Sequence, residues 1–108
     1  MAELSAEDAK LVTLARTTRV RTGAAQGAAV RDQAGRTYAA ASVALTALTL
    51  SAAQVAVAMA VSSGARTLEA AVILGEGPDR ASLAALHELG PEITVHLADA
   101  DGTVTATY

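Results

Sequence analysis

The chain contains no cysteine, no tryptophan and no phenylalanine, and its aromatic residues are two tyrosines. Without cysteine it can form neither a disulfide nor a thiolate–metal staple. Hydrophobic residues nevertheless make up 52% of the 108 residues, and alanine supplies much of that fraction. A buried methyl or methylene group contributes only about 0.8 kcal/mol, so an alanine-rich core stabilises a small domain weakly. We therefore expect residues 1–108 to form one domain that is completed by homo-oligomerisation.

Charged residues are few and are spread along the chain. The net charge is −3, and no basic stripe interleaved with aromatic residues is present, which argues against nucleic acid as a partner. The first residues lack the basic and then apolar pattern of a signal peptide. The most apolar stretch, residues 52–61, is too short to cross a bilayer. The sequence thus predicts a cytoplasmic protein without membrane attachment.

Capping and turn signals divide the chain into eight elements in the order α-β-β-α-β-α-β-β. Ser5, Ser51 and Asp79 are suited to cap helices, and Asp32–Gly35 suits the turn of a β-hairpin. The second helix is apolar on nearly every side, which predicts a buried helix. Because strands alternate with helices after the hairpin, we expect parallel central strands with helices on the sheet faces. The predicted elements are helices over 6–21, 52–63 and 79–89, strands over 25–31, 36–41, 68–74, 92–98 and 103–108, and an irregular connection over 43–50.

Three segments of the chain are similar to motifs that occur in the same order in one known family. Gln26-Gly27-Ala28-Ala29-Val30, followed by the turn at 32–35, is similar to a V-G-A-A hairpin. Residues 51–64 stand where that family has C-A-E-R-x-A and a later glycine. Residues 78–90 follow its P-C-G-A-C-R-Q-x-L-x-E-F-G motif. The chain therefore resembles the small, single-domain cytidine deaminases over nearly its whole length, and the resemblance implies a three-layer α/β/α sandwich with a mixed five-stranded sheet.

The positions that carry the family's chemistry hold other residues. In zinc deaminases, three Cys or His ligands hold a zinc ion that activates water, and a glutamate moves the proton. The resemblance places the first ligand on Ser51, the other two on Asp79 and Ser82, and the glutamate on Ala53. Hydroxyls are poor zinc ligands beside thiolates and imidazoles, and alanine carries no proton. We therefore expect no metal, no cofactor and no catalytic residue.

The positions at which the family binds its substrate also hold different residues in this chain. The family binds ribose through an N-x-E pair, and the corresponding region here is Ser42-Val43-Ala44. Arg80 replaces a glycine beside the metal, and we expect its side chain to pair with Asp79 and fill the vacated space. Any small polar ligand would contact side chains of this region. The ligand-binding candidates are Ser42, Ser51, Gln54, Asp79, Arg80 and Ser82.

Other motifs indicate structural roles. His87 and His96 have no Cys or carboxylate at ligand spacing on the same face, so we expect them to serve packing or the surface. Asp99-Ala100-Asp101-Gly102 resembles the start of a calcium loop, but the glutamate that would complete the loop would fall beyond Tyr108. This segment is therefore predicted to be a hairpin turn.

Three functions follow from these observations. The first is a pseudoenzyme, a deaminase scaffold kept as a structural or interaction module whose protein partner the sequence does not identify. The second is a binding module for a nucleoside, a nucleotide or another small polar ligand. The third is a nucleoside deaminase with an altered metal site. The resemblance and the thin core both predict a homo-oligomer, either a dimer or a tetramer.

Overall fold

Side-chain caps begin the three helices of the computed structural model, which describes residues 4–108. Ser5, Ser51 and Asp79 each accept a hydrogen bond from the backbone N–H three residues further on, as the sequence predicts. Gly23 ends the first helix with a φ of 69°, a left-handed conformation that favours glycine. The helices are α1 (Ala6–Thr22), α2 (Ala52–Ser62) and α3 (Arg80–Leu89).

Five of the strands form one mixed sheet, which confirms the predicted fold class. The strands are β1 (Gln26–Asp32), β2 (Thr37–Ala41), β3 (Val43–Ala44), β4 (Thr49–Leu50), β5 (Leu68–Gly75), β6 (Val95–Ala98) and β7 (Val104–Thr107). The order across the sheet is β2-β1-β5-β6-β7, and a separate two-stranded hairpin consists of β3 and β4. The helices cover both faces of the five-stranded sheet.

Three details of the predicted strands are corrected. Among neighbouring strands, only β5 and β6 pair in parallel. The expectation of parallel central strands is confirmed for this pair, but β1 lies between β2 and β5 and runs antiparallel to both. Residues 91 and 92 form a turn, so β6 begins at Val95 and is shorter than predicted. The connection over 43–50 is a small antiparallel hairpin and is not irregular.

Small side chains let the helices approach the sheet closely. On the α1 face, Ala15 is fully buried beside Leu11 and the strand residues. On the other face, Ala56 and Ala60 of α2 are fully buried. Gly27 marks the closest approach, since a Cβ there would collide with the backbone carbonyl oxygen of Ala15. The alanine-rich composition is thus used where backbones pack closely.

The second helix is buried on one face only. Alanines 52, 53, 56 and 60 face the core, whereas Met59 is 39% exposed and Val61 is 54% exposed. The prediction of a buried helix is therefore correct for one face only, because α2 packs on the sheet and α3, and residues 4–108 leave its outer side uncovered. No helix in this range combines the length and apolarity that a membrane span requires.

Candidate functional site

The N-termini of α2 and α3 meet beside the carboxyl end of β5, and their polar side chains are in contact. The Ser82 hydroxyl donates to Ser51 Oγ at 2.7 Å. Ser51 Oγ also accepts from the Gln54 N–H, while Gln54 Oε1 accepts from the Ser51 N–H at 2.9 Å, completing a capping box. Asp79 Oδ1 accepts from the Ser82 N–H at 2.7 Å. We call Ser51, Gln54, Asp79 and Ser82 the helix-cap cluster.

Burial and charge differ within this cluster. Ser82 is only 1% exposed, and Ser51 and Gln54 are half-buried, while Asp79 is exposed. Hydrogen bonding from Ser82 lowers the pKa of Asp79 against a smaller effect of burial. The cluster therefore offers solvent one carboxylate, whereas its hydroxyl and amide groups are already paired with one another.

Ala53 belongs to the first turn of α2, two residues after Ser51. Its side chain is 1% exposed and belongs to the apolar core between α2 and the sheet. A methyl group at this position contributes packing and carries no exchangeable proton. The predicted site residues Ser51, Ala53, Asp79 and Ser82 are thus brought to one place at the ends of two helices.

Ser42 and Arg80 do not join the cluster. The Ser42 hydroxyl accepts from the Gln26 N–H at 3.1 Å, so it closes the end of the β1–β2 hairpin. Arg80 is exposed, and among residues 4–108 it makes no ion pair with Asp79. The expectation that Arg80 fills a vacated site is therefore wrong, because its guanidinium stays in water where no carboxylate holds it.

Gln26 is a member of the site that sequence reasoning missed. Its Oε1 accepts from the Ala52 N–H at 3.3 Å, and its Nε2 donates to the Glu76 carbonyl at 3.4 Å. One side chain thereby ties the start of β1 to α2 and to the loop before α3. A polar residue at the first position of the strand, before four residues without polar side chains, was the available signal.

A buried carboxylate lies at the opposite end of β1. Asp32 is 1% exposed and accepts hydrogen bonds from the Tyr38 hydroxyl and from the N–H groups of Ala34 and Arg36. Burial alone would raise the pKa of Asp32, but these three donors and the charge of Arg36 outweigh it and lower the pKa below 3.8. The turn signal at Asp32 was recognised in the sequence, whereas its burial was not.

A third polar group ties α1 to the sheet. Asp8 Oδ1 accepts from Arg31 Nη2 at 3.0 Å, and Asp8 Oδ2 lies 3.5 Å from His96 Nε2. His87 Nε2 lies 3.3 Å from the Ile93 carbonyl oxygen. Both histidines therefore have structural contacts. Within residues 4–108, no three His, Cys, Asp or Glu side chains come close enough together to hold a metal ion.

A family model described as cytidine deaminase-like matches residues 4–102. The chain belongs to the cytidine deaminase-like family. The match covers all three helices and the β1–β6 part of the sheet, so it includes both segments that form the helix-cap cluster. A search of curated proteins finds no significant match.

Solved cytidine deaminases share the fold of this cytidine deaminase-like chain. The Burkholderia pseudomallei enzyme superposes with a TM-score of 0.82 at 22% identity, over 97% of this chain and 92% of the other. A Mycobacterium tuberculosis enzyme gives 0.74 at 23% identity, over 84% and 85% of the two chains. The Mycobacterium leprae enzyme gives 0.73 at 19% identity, over 94% and 93%. At these identities the likeness shows the fold alone.

Proposed function

We propose that this chain is a non-catalytic member of the cytidine deaminase-like family, kept as a structural or interaction module. One observation carries the proposal: the side chains at the ends of α2 and α3 are occupied in capping those helices. Ser51 and Ser82 are hydrogen-bonded to each other at 2.7 Å. Ser51 caps α2 and Asp79 caps α3. These residues stabilise the fold by their present contacts.

The chemistry of these donors does not suit zinc. Structural and catalytic zinc sites use thiolates, imidazoles and carboxylates, and here the resemblance supplies two neutral hydroxyls and one carboxylate. A metal ion would have to replace the hydrogen bond between the two hydroxyls and the one that Asp79 accepts from the Ser82 N–H. The disagreement between the family's metal and these residues supports the non-catalytic proposal.

The general acid and base of the family has no counterpart here. Deaminases need a glutamate beside the metal to move a proton to the substrate. The matching position, Ala53, is buried against the sheet, and the Asp79 carboxylate has a pKa that hydrogen bonds from Ser82 hold below its ordinary value. An acid of lowered pKa is ionised near neutral pH and is a poor proton donor.

Metal analysis and an activity assay test the proposal together. The full chain is purified without chelator, its zinc content is measured, and cytidine loss is followed by ultraviolet absorption. We expect less than stoichiometric zinc and no conversion of cytidine to uridine. One zinc per chain, or turnover that scales with protein concentration, would contradict the proposal.

A gain-of-ligand variant provides the matched control. Replacing three positions together, Ser51→Cys, Asp79→Cys and Ser82→Cys, supplies the thiolates that zinc prefers. We expect this variant to bind one zinc ion per chain with a raised Tm, because a ligand that binds only the folded state stabilises it. If the variant folds but binds no zinc, the assignment of these three positions is wrong.

Ligand binding without catalysis is tested separately. Most polar atoms of the helix-cap cluster are already paired, so a nucleoside would have to exchange existing hydrogen bonds for its own. We expect cytidine, uridine and the corresponding nucleotides to leave the Tm unchanged. A concentration-dependent rise in Tm would favour the binding module over the purely structural one.

We further propose that the module is a homo-oligomer. Its core contains many alanines and one buried aromatic residue, Tyr38, and a small domain of this kind gains stability by burying further apolar surface between chains. Sedimentation of the full chain at micromolar concentration is expected to give a dimer or a tetramer.

A further inference from the structure

A groove runs between the outer side of α1 and the turn that joins β6 to β7, and its volume is about 580 Å³. One wall consists of α1 residues, among them Arg16, Val20 and Arg21, and the other wall consists of Asp101 and Gly102. The turn approaches the helix closely, since a Cβ at Gly102 would lie 3.2 Å from Cγ1 of a valine on α1. None of these residues belongs to the helix-cap cluster, so the groove is a separate surface of the domain.

The α1 wall is basic, although the protein as a whole is acidic. Residues 9–31 contain five of the eight Lys and Arg residues and no Asp or Glu, whereas the net charge of the chain is −3. Arg16 and Arg21 are exposed, and neither forms an ion pair with any residue from 4 to 108. The helix dipole favours Arg21 in the last turn, but Arg16 precedes that turn. Both guanidinium groups are therefore available to an anionic partner.

An apolar side chain lies between the two arginines. Val20 is 69% exposed, which makes it the most exposed large hydrophobic residue in the described part of the chain. Valine is also a poorer helix former than alanine, so an exposed valine here does not help α1 to form. The helical repeat places Arg16 and Arg21 on either side of Val20, about 7.5 Å apart along the helix axis. The groove thus offers one apolar contact flanked by two positive charges.

We propose that this groove binds an acidic segment of a partner protein, in which carboxylates lie beside an apolar side chain. The inference rests on the interaction module proposed above, and it names the chemistry of the partner. In an extended segment, side chains two residues apart lie about 6.6 Å apart on one face, close to the axial spacing of the two arginines. Arginine binds a carboxylate through two parallel hydrogen bonds. The valine would add an apolar contact that salt does not screen.

Nucleic acid fits this groove less well than an acidic peptide. Single-stranded nucleic acid is bound by stacking its bases on aromatic side chains, and no described residue that lines the groove is aromatic. Asp101 on the opposite wall would repel a polyanion that carries a charge at every unit. A peptide avoids this repulsion, because it can place a neutral residue opposite Asp101.

Binding of a labelled acidic peptide to the full chain tests the inference. The probe is a dye-labelled Glu-Glu-Leu-Glu-Glu with blocked termini, and fluorescence anisotropy follows its binding. We expect a Kd below about 100 µM at low salt, weakened at least about threefold between about 20 and 200 mM NaCl. Arg16→Glu and Arg21→Glu should each weaken binding at least about tenfold. Asp101→Asn should tighten it about twofold, because a repelling charge is removed.

Arg66→Glu is the matched control, because it makes the same change of charge at an exposed arginine outside the groove. Arg66 precedes β5 and Asp101 follows β6, and these two strands are parallel, so the two residues lie at opposite edges of the sheet. We expect this variant to bind the peptide as the wild type does. Far-ultraviolet circular dichroism checks folding, and Arg16→Gln and Arg21→Gln replace any glutamate variant that fails to fold.

Four outcomes would overturn the inference. They are a Kd of the acidic peptide above about 100 µM, an equal loss of binding in Arg66→Glu, tighter binding of a single-stranded oligonucleotide than of the peptide, and equal binding of Gln-Gln-Leu-Gln-Gln. Sedimentation of Arg16→Glu must match that of the wild type, since a difference would assign the groove to contact between copies. Zinc content and cytidine turnover are independent of these readouts, so a chain that binds the peptide and converts cytidine refutes only the non-catalytic proposal.

Discussion

The two ends of β1 are anchored to the neighbouring elements by different kinds of polar side chain. At Asp32 a buried charge accepts three hydrogen bonds and closes the β1–β2 turn. At Gln26 a neutral side-chain amide joins β1 to the first turn of α2 and to the loop before α3. A buried charge is stable only while all its donors stay in place, whereas neutral groups can be lost one at a time. The Asp32 end is therefore the more sensitive to substitution.

The largest expected effect comes from Asp32→Ala. This change removes three hydrogen bonds and leaves the buried Tyr38 hydroxyl without its acceptor, so we expect Tm to fall by at least about 15 °C. Asp101→Ala, in the exposed turn between β6 and β7, is the control and should change Tm little. A similar Tm for both variants would show that the buried carboxylate is not what stabilises the hairpin.

Acid should act in part through this same residue. The folded-state pKa of Asp32 is lowered, so its contribution to stability is complete above its unfolded value near 3.8 and is lost as pH falls through the folded value. Asp32→Asn should flatten the loss of stability below about pH 4. Urea unfolding of both proteins from pH 3 to pH 7 measures this, and parallel acid profiles would assign the effect to other carboxyls.

Gly27→Ala tests the strand that connects the two ends. Its new Cβ would overlap the Ala15 carbonyl oxygen, so α1 must move away from β1, and we expect a loss of about 2 kcal/mol in the free energy of unfolding. Gly77→Ala is the matched control, because a Cβ there meets no atom within 4 Å. Denaturant midpoints of the two variants compare the strain directly.

Smaller effects are expected at the neutral end. Ser51→Ala removes a helix cap and Ser82→Ala a buried hydroxyl, and each should cost about 1 kcal/mol. Because the two hydroxyls bond to each other, the double variant should cost less than the sum of the single ones. Additive losses in a double-mutant cycle would mean that their contact contributes nothing.

Arg80→Ala should have the smallest effect. Arg80 is exposed and forms no ion pair within the described residues, so the free energy of unfolding should change by less than about 0.5 kcal/mol. Chemical denaturation measures this. A larger loss would restore the idea that Arg80 contributes to the helix-cap cluster.

The helix caps were predictable from the sequence, whereas the pairing of strands that are distant in the chain was predictable only in part. The caps at Ser5, Ser51 and Asp79 depend on residues three positions apart, so the sequence displays them directly. The antiparallel placement of β1 beside β5 depends on contacts far along the chain, and an alternating element order cannot reveal it. The family resemblance predicted that Ser51 and Ser82 belong to one site. The conformation of Arg80 depends on its three-dimensional surroundings, which no sequence motif encodes.

The scarcity of aromatic residues has a practical consequence. With no tryptophan and two tyrosines, absorption near 280 nm comes from Tyr38, which is 8% exposed, and from Tyr108, which is 49% exposed. Tyr38 is held by Asp32, whose hydrogen bond raises the Tyr38 pKa, and burial adds to this shift. Replacing Tyr108 with phenylalanine would leave a single chromophore at the hairpin. Its near-ultraviolet signal would then report the opening of one turn without any attached dye.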